Sequence, residues 1–266
     1  MLYNIALLSF CEHGFTFEDK WIKFSACENA KTNLKPIYHF HSLKFDDFNG
    51  IEISETYNIK KGRLIRKNHQ IVMASDDWTH FYVPLPFSAL DLDFFLIQAF
   101  YTHAVKRHMI QVHSSLIDYQ GRGIMFLGPS GIGKTTQAER WNEYRGAVII
   151  NGDMVFVQET EDQFLGWGTP WHGSSPYCEN ASVPLEALVI LKQSRENRVR
   201  RLEGFEMVAE VSNSVFYPTW LENGMDLCLE TLDHLLTHVP VYLLENRADE
   251  EAVALLEQTL DQNKKE

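Results

Sequence analysis

Residues 121–136 read Gly-Arg-Gly-Ile-Met-Phe-Leu-Gly-Pro-Ser-Gly-Ile-Gly-Lys-Thr-Thr, an apolar run passing directly into a glycine-rich loop. The frame Gly128-x-x-x-x-Gly133-Lys134-Thr135 is the Walker A pattern. Its context constrains the fold more than its letters do. Ile124 to Leu127 read as a short strand buried on both faces, and Gln137 to Arg140 suit a helix, so the loop lies where strand gives way to helix. Glycines let the backbone turn at positive φ and approach an anion closely. Gly128, Pro129, Ser130, Gly131, Ile132, Gly133, Lys134, Thr135 and Thr136 are therefore the candidate phosphate cradle, its amides and helix end facing the anion. Lys134 can reach the outer phosphates, and the Thr135 hydroxyl can join the shell of Mg2+. A chance glycine-rich turn is the bland alternative; strand, lysine and threonine in register weigh against it. The expected ligand is a nucleoside triphosphate.

With 266 residues the chain has room for one large domain or two small ones. Hydrophobic residues make up 45% and charged ones 23%, a globular balance, so disorder is expected only at the charged tail, residues 261–266. The net charge of −12 argues against a general nucleic-acid binder, which needs basic surface. No apolar run is long enough to cross a bilayer. Residues 1–10 are apolar but lack a basic leader, and Glu12 and His13 follow, which reads as a first strand rather than a secretion signal. Cys11, Cys27, Cys178 and Cys228 show no CxxC spacing, so neither zinc nor a disulfide framework is implied. A cytoplasmic setting, where ATP is available, is expected.

The two parts of the chain differ in texture. Residues 1–87 carry short aromatic and β-branched runs at 21–24, 36–40, 51–59 and 70–74, separated by turns such as Asn49-Gly50 and Lys61-Gly62. That is the pattern of antiparallel hairpins, so this part is read as a β-rich region. Pro84 and Pro86 break it, and residues 78–87 read as aromatic packing. Ser88 opens a helix with Leu92, Phe95, Leu96, Ala99, Phe100 and His103 on one face, ending near Arg107-His108. From 88 to 266 a second domain alternates strands and helices. Strands are expected at 109–117, 124–127, 147–150, 154–158, 187–191 and 239–243, with 199–202 forming a hairpin with 187–191. Helices are expected at the loop's exit to about Tyr144, at 226–238 and at 249–260.

Two residues outside the loop sharpen the pattern. His113 lies on the strand before it, and Asp153 lies just past the next buried strand, in Val148-Ile-Ile-Asn-Gly-Asp-Met-Val-Phe-Val157. An acid at such a strand end is placed to share Mg2+ with Thr135. Only nineteen residues (153 − 134) separate it from Lys134. This compact spacing with an upstream histidine resembles the HPr kinase/phosphorylase and ATP-type phosphoenolpyruvate carboxykinase superfamily. In HPr kinases a histidine, a Gly-x-Gly turn, the loop, one helix and a strand ending in paired aspartates follow in order. Here His113, Gly121-Arg-Gly123, Gly128 to Thr136 and Gly152-Asp153 occupy those places. Gly168-Thr-Pro-Trp171, Asn180-Ala-Ser-Val-Pro184 and Asn197-Arg-Val-Arg-Arg-Leu202 are similar to small HPr-kinase-like proteins, some linked with peptide-modification clusters that include lasso-peptide tailoring.

The resemblance covers roughly residues 109–260. It implies an α/β fold, a P-loop kinase core of HPr kinase/PEP carboxykinase type with a mixed sheet, preceded by the β-rich N-terminal region. It also implies ATP and Mg2+ as cofactors, catalytic roles for Asp153, His113 and Lys134, metal ligation by Thr135 and Asp153, and a serine in a peptide or small protein as acceptor. HPr kinases form hexamers, so a homo-oligomer is within its scope. The chain departs from the family at Gly152, where the first of two aspartates is missing, so Asp153 does both jobs or another group supplies the base. The Gly-Arg-rich segment of bifunctional HPr kinase/phosphorylases is also missing, which favours a one-way kinase.

Each singled-out residue has a plainer reading. Asp153 could be a turn or cap residue, and His113 a hydrogen-bonded core histidine. Trp171, His172 and Ser174 sit in a Gly/Ser/Pro-rich loop that either lines an acceptor pocket or merely connects. His39 and His41 share a strand face and read as surface histidines, no third metal ligand being evident. Arg198, Arg200 and Arg201 read as a solvated hairpin face. The leading expectation is a hydroxyl kinase acting on a peptide serine. A small-metabolite kinase and a nucleotide-binding regulator without turnover are its rivals.

Overall fold

The computed structural model describes residues 1–15, 17–25, 35–43, 62–67, 70–84 and 89–263. The protein is mixed α/β and divides into two compact units, Met1–His103 and Ala104–Glu266. Expectations for residues 49–50, 51–59, 61, 86 and 88 lie outside the described residues. No helix among the described residues is long and apolar enough to cross a membrane.

The first unit is a six-stranded sheet of β1 (Leu2–Ile5), β2 (Leu8–His13), β3 (Tyr38–Leu43), β4 (Gly62–Lys67), β5 (Gln70–Ser75) and β6 (His80–Pro84), in the order β1-β2-β3-β6-β5-β4. Three pairings are antiparallel as expected, β1–β2, β4–β5 and β5–β6. The other two, β2–β3 and β3–β6, are parallel, which corrects the all-hairpin reading. A parallel neighbour needs a long crossover, and the chain between His13 and Tyr38 supplies one. Part of that crossover is the 3-10 turn Asp19–Phe24, read from sequence as a strand. Three-residue periodicity there buries Trp21 and Phe24 together.

Period-two alternation splits this sheet into unlike faces. Phe10, Tyr38, Phe40, Phe81 and Val83 are fully buried, with Phe10 and Tyr38 stacked at 5.0 Å between ring centroids. The intervening Cys11, His13, His39, His41, His80 and Tyr82 occupy the other face and are half-buried or exposed. Burial and neighbouring imidazoles push His41 down to about 4, and burial with His80 and His13 beside it pushes His39 below the usual histidine value. Helix α1 (Ala89–Ala104) buries its expected stripe, Leu92, Phe95, Leu96, Ala99, Phe100 and His103, and belongs to this first unit rather than opening the second.

In the second unit a 3-10 turn, Val105–Arg107, leads to β7 (Met109–Tyr119) and β8 (Arg122–Leu127). The connecting Gln120 and Gly121 have φ of 57° and 80°, the paired positive values that suit a two-residue hairpin. There follow α2 (Lys134–Arg145), β9 (Val148–Asn151), β10 (Met154–Glu159), β11 (Phe164–Trp167), β12 (Ser182–Gln193), β13 (Arg198–Leu202), α3 (Gly204–Ser212), β14 (Val215–Phe216), α4 (Gly224–His238), β15 (Val241–Asn246) and α5 (Glu250–Asn263). Helix α5 carries the tail to Asn263, past the Asp261 at which disorder was expected to begin.

The strands form one mixed nine-stranded sheet, β11-β10-β7-β8-β12-β15-β13, with β9 and β14 on β7. β11 also pairs with β12, so β11, β10, β7, β8 and β12 close into a ring. β13 pairs with β15 and not with β12, correcting the expected hairpin: β15 inserts between them, parallel to β12 and antiparallel to β13. β8, β12 and β15 run side by side in parallel, and their buried runs pack Ile124, Phe126, Val189 and Leu244 against Ala138 and Trp141 of α2 and Val253, Leu256 and Leu260 of α5. The carboxyl ends of these strands carry the loops at 128–133, 194–195 and 247–248.

Candidate active site

Beyond Leu127 the chain leaves β8 through Gly128, Gly131 and Gly133, with φ of 137°, 80° and 110°. An L side chain would be strained at each, which is why glycine recurs. Gly133 then precedes α2, whose first-turn amides have no intrahelical acceptor and whose positive end faces the loop's concavity. Lys134 is only 6% exposed. Its Nζ donates to the carbonyls of Gly128 (3.1 Å) and Pro129 (3.3 Å), folding the side chain back over the loop. Burial pushes its pKa below the ordinary lysine value, and the nearby Asp153 charge opposes that shift. From β7, the Ser115 hydroxyl donates to the Lys134 carbonyl (2.8 Å), while the Thr135 hydroxyl donates to the Gly152 carbonyl (3.1 Å).

β7 and β10 bring the next two groups together. Their antiparallel register sets His113 opposite Met154, so Asp153, one residue earlier, falls beside the imidazole. His113 Nε2 lies 3.0 Å from Asp153 Oδ1, each side chain 25% exposed. Asp153 is aimed by a buried neighbour: Asn151 Oδ1 accepts from the amides of Asp153 (2.9 Å) and Met154 (3.0 Å), and its Nδ2 donates to the Thr169 carbonyl (2.9 Å). Buried amides left without acceptors would cost about 1–3 kcal/mol each, so this residue fixes the turn.

The third wall is the segment 172–175. His172 Nδ1 meets the Ser175 carbonyl, which holds the ring in place. Gly173, at φ +57°, lies against Asp153, and a Cβ there would overlap the carboxylate. Ser175 occupies the space that a side chain on residue 152 would need, since a Cβ on Gly152 would overlap its hydroxyl. The missing carboxylate is thus a filled position, not a hole.

His113, Ser130, Gly131, Gly133, Lys134, Thr135, Thr136 and Asp153 line one cavity of about 280 Å³, joined by Gly152, His172, Ser174 and Ser175. Of the loop, Gly128 and Pro129 contribute the carbonyls that hold Lys134, and Ile132 lies outside that cavity. Ile132 lines an adjoining cavity of about 640 Å³ with Gly131, Gly133, Thr136, Gln193, Arg195, Asn246 and Arg247. His172 and Ser174 therefore do face the site, whereas Trp171 is 3% exposed and packs toward Phe156. Arg198 and Arg200 pair with Glu196 and Glu206 on the exposed face of β13, and none of the three arginines lines these cavities. Asn151, Ser115 and Ser175 were missed from sequence. The Asn151-Gly152 pair, a turn signal before Asp153, was the readable hint for the first; nothing local marks the others.

The cavity combines amide donors, a buried ammonium, two hard oxygen donors (Thr135 hydroxyl and Asp153 carboxylate) and an imidazole–carboxylate pair. Such a set can hold a polyanion, share a small divalent cation through oxygen, and accept a proton.

An HPr kinase/phosphorylase from Mycoplasmopsis pulmonis is 29% identical over 82 residues, 31% of this chain and 24% of its own length. The match thus spans about a quarter of that relative. The structure of the HPr(Ser) kinase/phosphatase from Coxiella burnetii aligns over 58% of this chain and 90% of that one at 12% identity, with a TM-score of 0.35. The chain is related to HPr-kinase-like proteins. The family described as SynChlorMet cassette protein ScmC matches residues 92–249, more than half of the sequence and a span holding His113, the glycine-rich loop and Asp153, and the chain belongs to that family.

Proposed function

We propose that the protein is an ATP-dependent kinase with a P-loop core of the HPr-kinase type, transferring the γ-phosphoryl group to a hydroxyl. The observation that carries this reading is the convergence of the glycine-rich loop, Lys134, Thr135 and the His113–Asp153 pair on one cavity. Thr135 and Asp153 would hold Mg2+, their hydroxyl and carboxylate being the hard donors it prefers. When bound, that ion would neutralise charge on the β- and γ-phosphates. Lys134 would swing from the Gly128 and Pro129 carbonyls onto the phosphates, and the loop amides would take the charge building on the leaving oxygen. The 640 Å³ cavity beyond Thr136 has room for the nucleoside.

Asp153 would orient the acceptor hydroxyl, with His113 steadying its carboxylate. As the new phosphorus–oxygen bond forms and the bond to the β-phosphate oxygen breaks, the hydroxyl proton passes to this pair and ADP leaves. The pair thereby supplies the base that a second aspartate would have provided. A serine in a peptide or small protein is the acceptor we favour; the HPr-kinase relationship supports it. The reading requires a compartment where ATP is available, such as the cytoplasm.

Gly152 favours one rival, a nucleotide-binding regulator without turnover. Incubation with γ-labelled ATP and parallel panels of serine peptides and hydroxyl metabolites separates the readings. Label on a peptide supports the kinase as stated, label on a metabolite moves the acceptor class, and tight ATP binding with no labelled product from any hydroxyl selects the regulator.

A further inference from the structure

The less buried face of the N-terminal sheet collects metal-binding side chains that no nucleotide chemistry uses. Three neighbouring strands contribute alternate residues to it: Cys11 and His13 from β2, His39 and His41 from β3, His80 and Tyr82 from β6. The parallel β2–β3 register sets Cys11 opposite His39 and His13 opposite His41. The β3–β6 register sets His39 opposite His80. His13 Nε2 lies 3.1 Å from His39 Nδ1, and one ligand atom from each of Cys11, His13 and His39 lies within 4.8 Å of the others. A second imidazole pair, His41 Nε2 and His80 Nδ1 at 3.1 Å, stacks alongside, with the His13 and His41 rings 4.6 Å apart.

We propose that Cys11, His13 and His39 form a zinc site on this face. Zinc takes thiolate and imidazole at about 2.0–2.3 Å in a tetrahedron, which sets ligand atoms roughly 3.3–3.8 Å apart. The three donors reach that spacing by small side-chain rotations on strands already in register. The donor set excludes magnesium and calcium, which take oxygen; copper, which also accepts two imidazoles and a thiolate, is the competing ion that elemental analysis distinguishes. Two histidines and one cysteine leave a fourth position, open to water because His13 is exposed. Cys11 is a free thiol, available as thiolate once the metal displaces its proton. Binding would tie β2 to β3, the parallel pairing that has no tight turn to hold it.

The test uses the full chain, stripped with a chelator and dialysed against limiting zinc. We expect stoichiometric zinc by elemental analysis. With cobalt(II) as a probe, we expect the intense visible bands of a tetrahedral ion and a thiolate-to-metal charge-transfer band. Cys11→Ser should lose the charge-transfer band. Loss of an outer partner alone costs metal sites about 10–100-fold in affinity, so His39→Ala should weaken zinc binding by roughly a hundredfold or more. Asp153→Asn should leave zinc uptake unchanged, which separates this site from the nucleotide cavity. Circular dichroism of each variant guards against loss of fold. A native chain that takes up no stoichiometric zinc overturns the proposal, as does undiminished binding in folded Cys11→Ser and His39→Ala.

Discussion

The two units bury their strands differently, and this decides where each can carry chemistry. In the second unit β8 is apolar on both sides from Gly123 to Leu127, so its candidate site groups sit beyond the strand end, on the loop and on α2. In the first unit β3 alternates a buried aromatic with a half-buried histidine, so mid-strand positions are themselves available to a ligand. A sheet covered twice confines its site to the rim. A sheet with one buried face, as among the described residues of the first unit, leaves side chains of the other available.

The contrast is tested most severely at two adjacent residues. Phe40→Ala should cost about 3–5 kcal/mol by leaving a void beside Phe15 and Phe81, whereas His41→Ala should cost about 1 kcal/mol or less. Urea denaturation reads both, and equal losses would erase the distinction between the faces. At the rim, Lys134→Ala should lower phosphoryl transfer on the order of 10²–10³-fold with the fold intact. Retained turnover would remove the loop from the chemistry.

A smaller effect probes how tightly the rim is packed. Gly152→Asp should destabilise by about 1–3 kcal/mol, because the new side chain meets Ser175. Ser175→Gly in the same chain should restore much of it, a coupling of about 0.5–3 kcal/mol in a double-mutant cycle. Additive losses would mean that Ser175 does not fill the missing aspartate's place.

The smallest effect belongs to the β5–β6 turn, where hydrogen bonds from Ser75 and Thr79 hold Asp77 down to about 2. A depressed carboxylate stabilises the fold above its unfolded value of 3.8, and that contribution is lost as pH falls through about 2. This carboxylate is exposed, so Asp77→Asn should cost at most about 1 kcal/mol at neutral pH. The gap should close on acidification; a gap that persists below pH 2 would exclude ionisation as its source.

What the sequence disclosed follows the same division. The glycine-rich loop was legible because nine consecutive residues carry it, and one apolar strand and one helix frame it. That Asp153 and His113 lie beside this loop was legible through order and spacing along the chain. The β13 pairing was not, because β15 enters from some forty residues downstream and no local periodicity records that insertion. Trp171 and His172 are neighbours in the chain with opposite fates, since a loop has no period from which to read its inward side. The histidine face was half visible: His39 and His41 declare a shared side, but Cys11, His13 and His80 join them only through register.

One consequence concerns the chemical lifetime of the protein. Asparagine followed by glycine is the pair whose side-chain amide most readily cyclises onto the next main-chain nitrogen, ending as aspartate or isoaspartate. Here the Gly152 nitrogen donates to the Tyr177 carbonyl (3.2 Å), and the Asn151 amide is locked by three partners. Folding therefore restrains a slow self-inflicted lesion at the residue that aims Asp153. Chains held unfolded should accumulate the lesion faster than native ones, a difference that peptide mapping of aged samples can read.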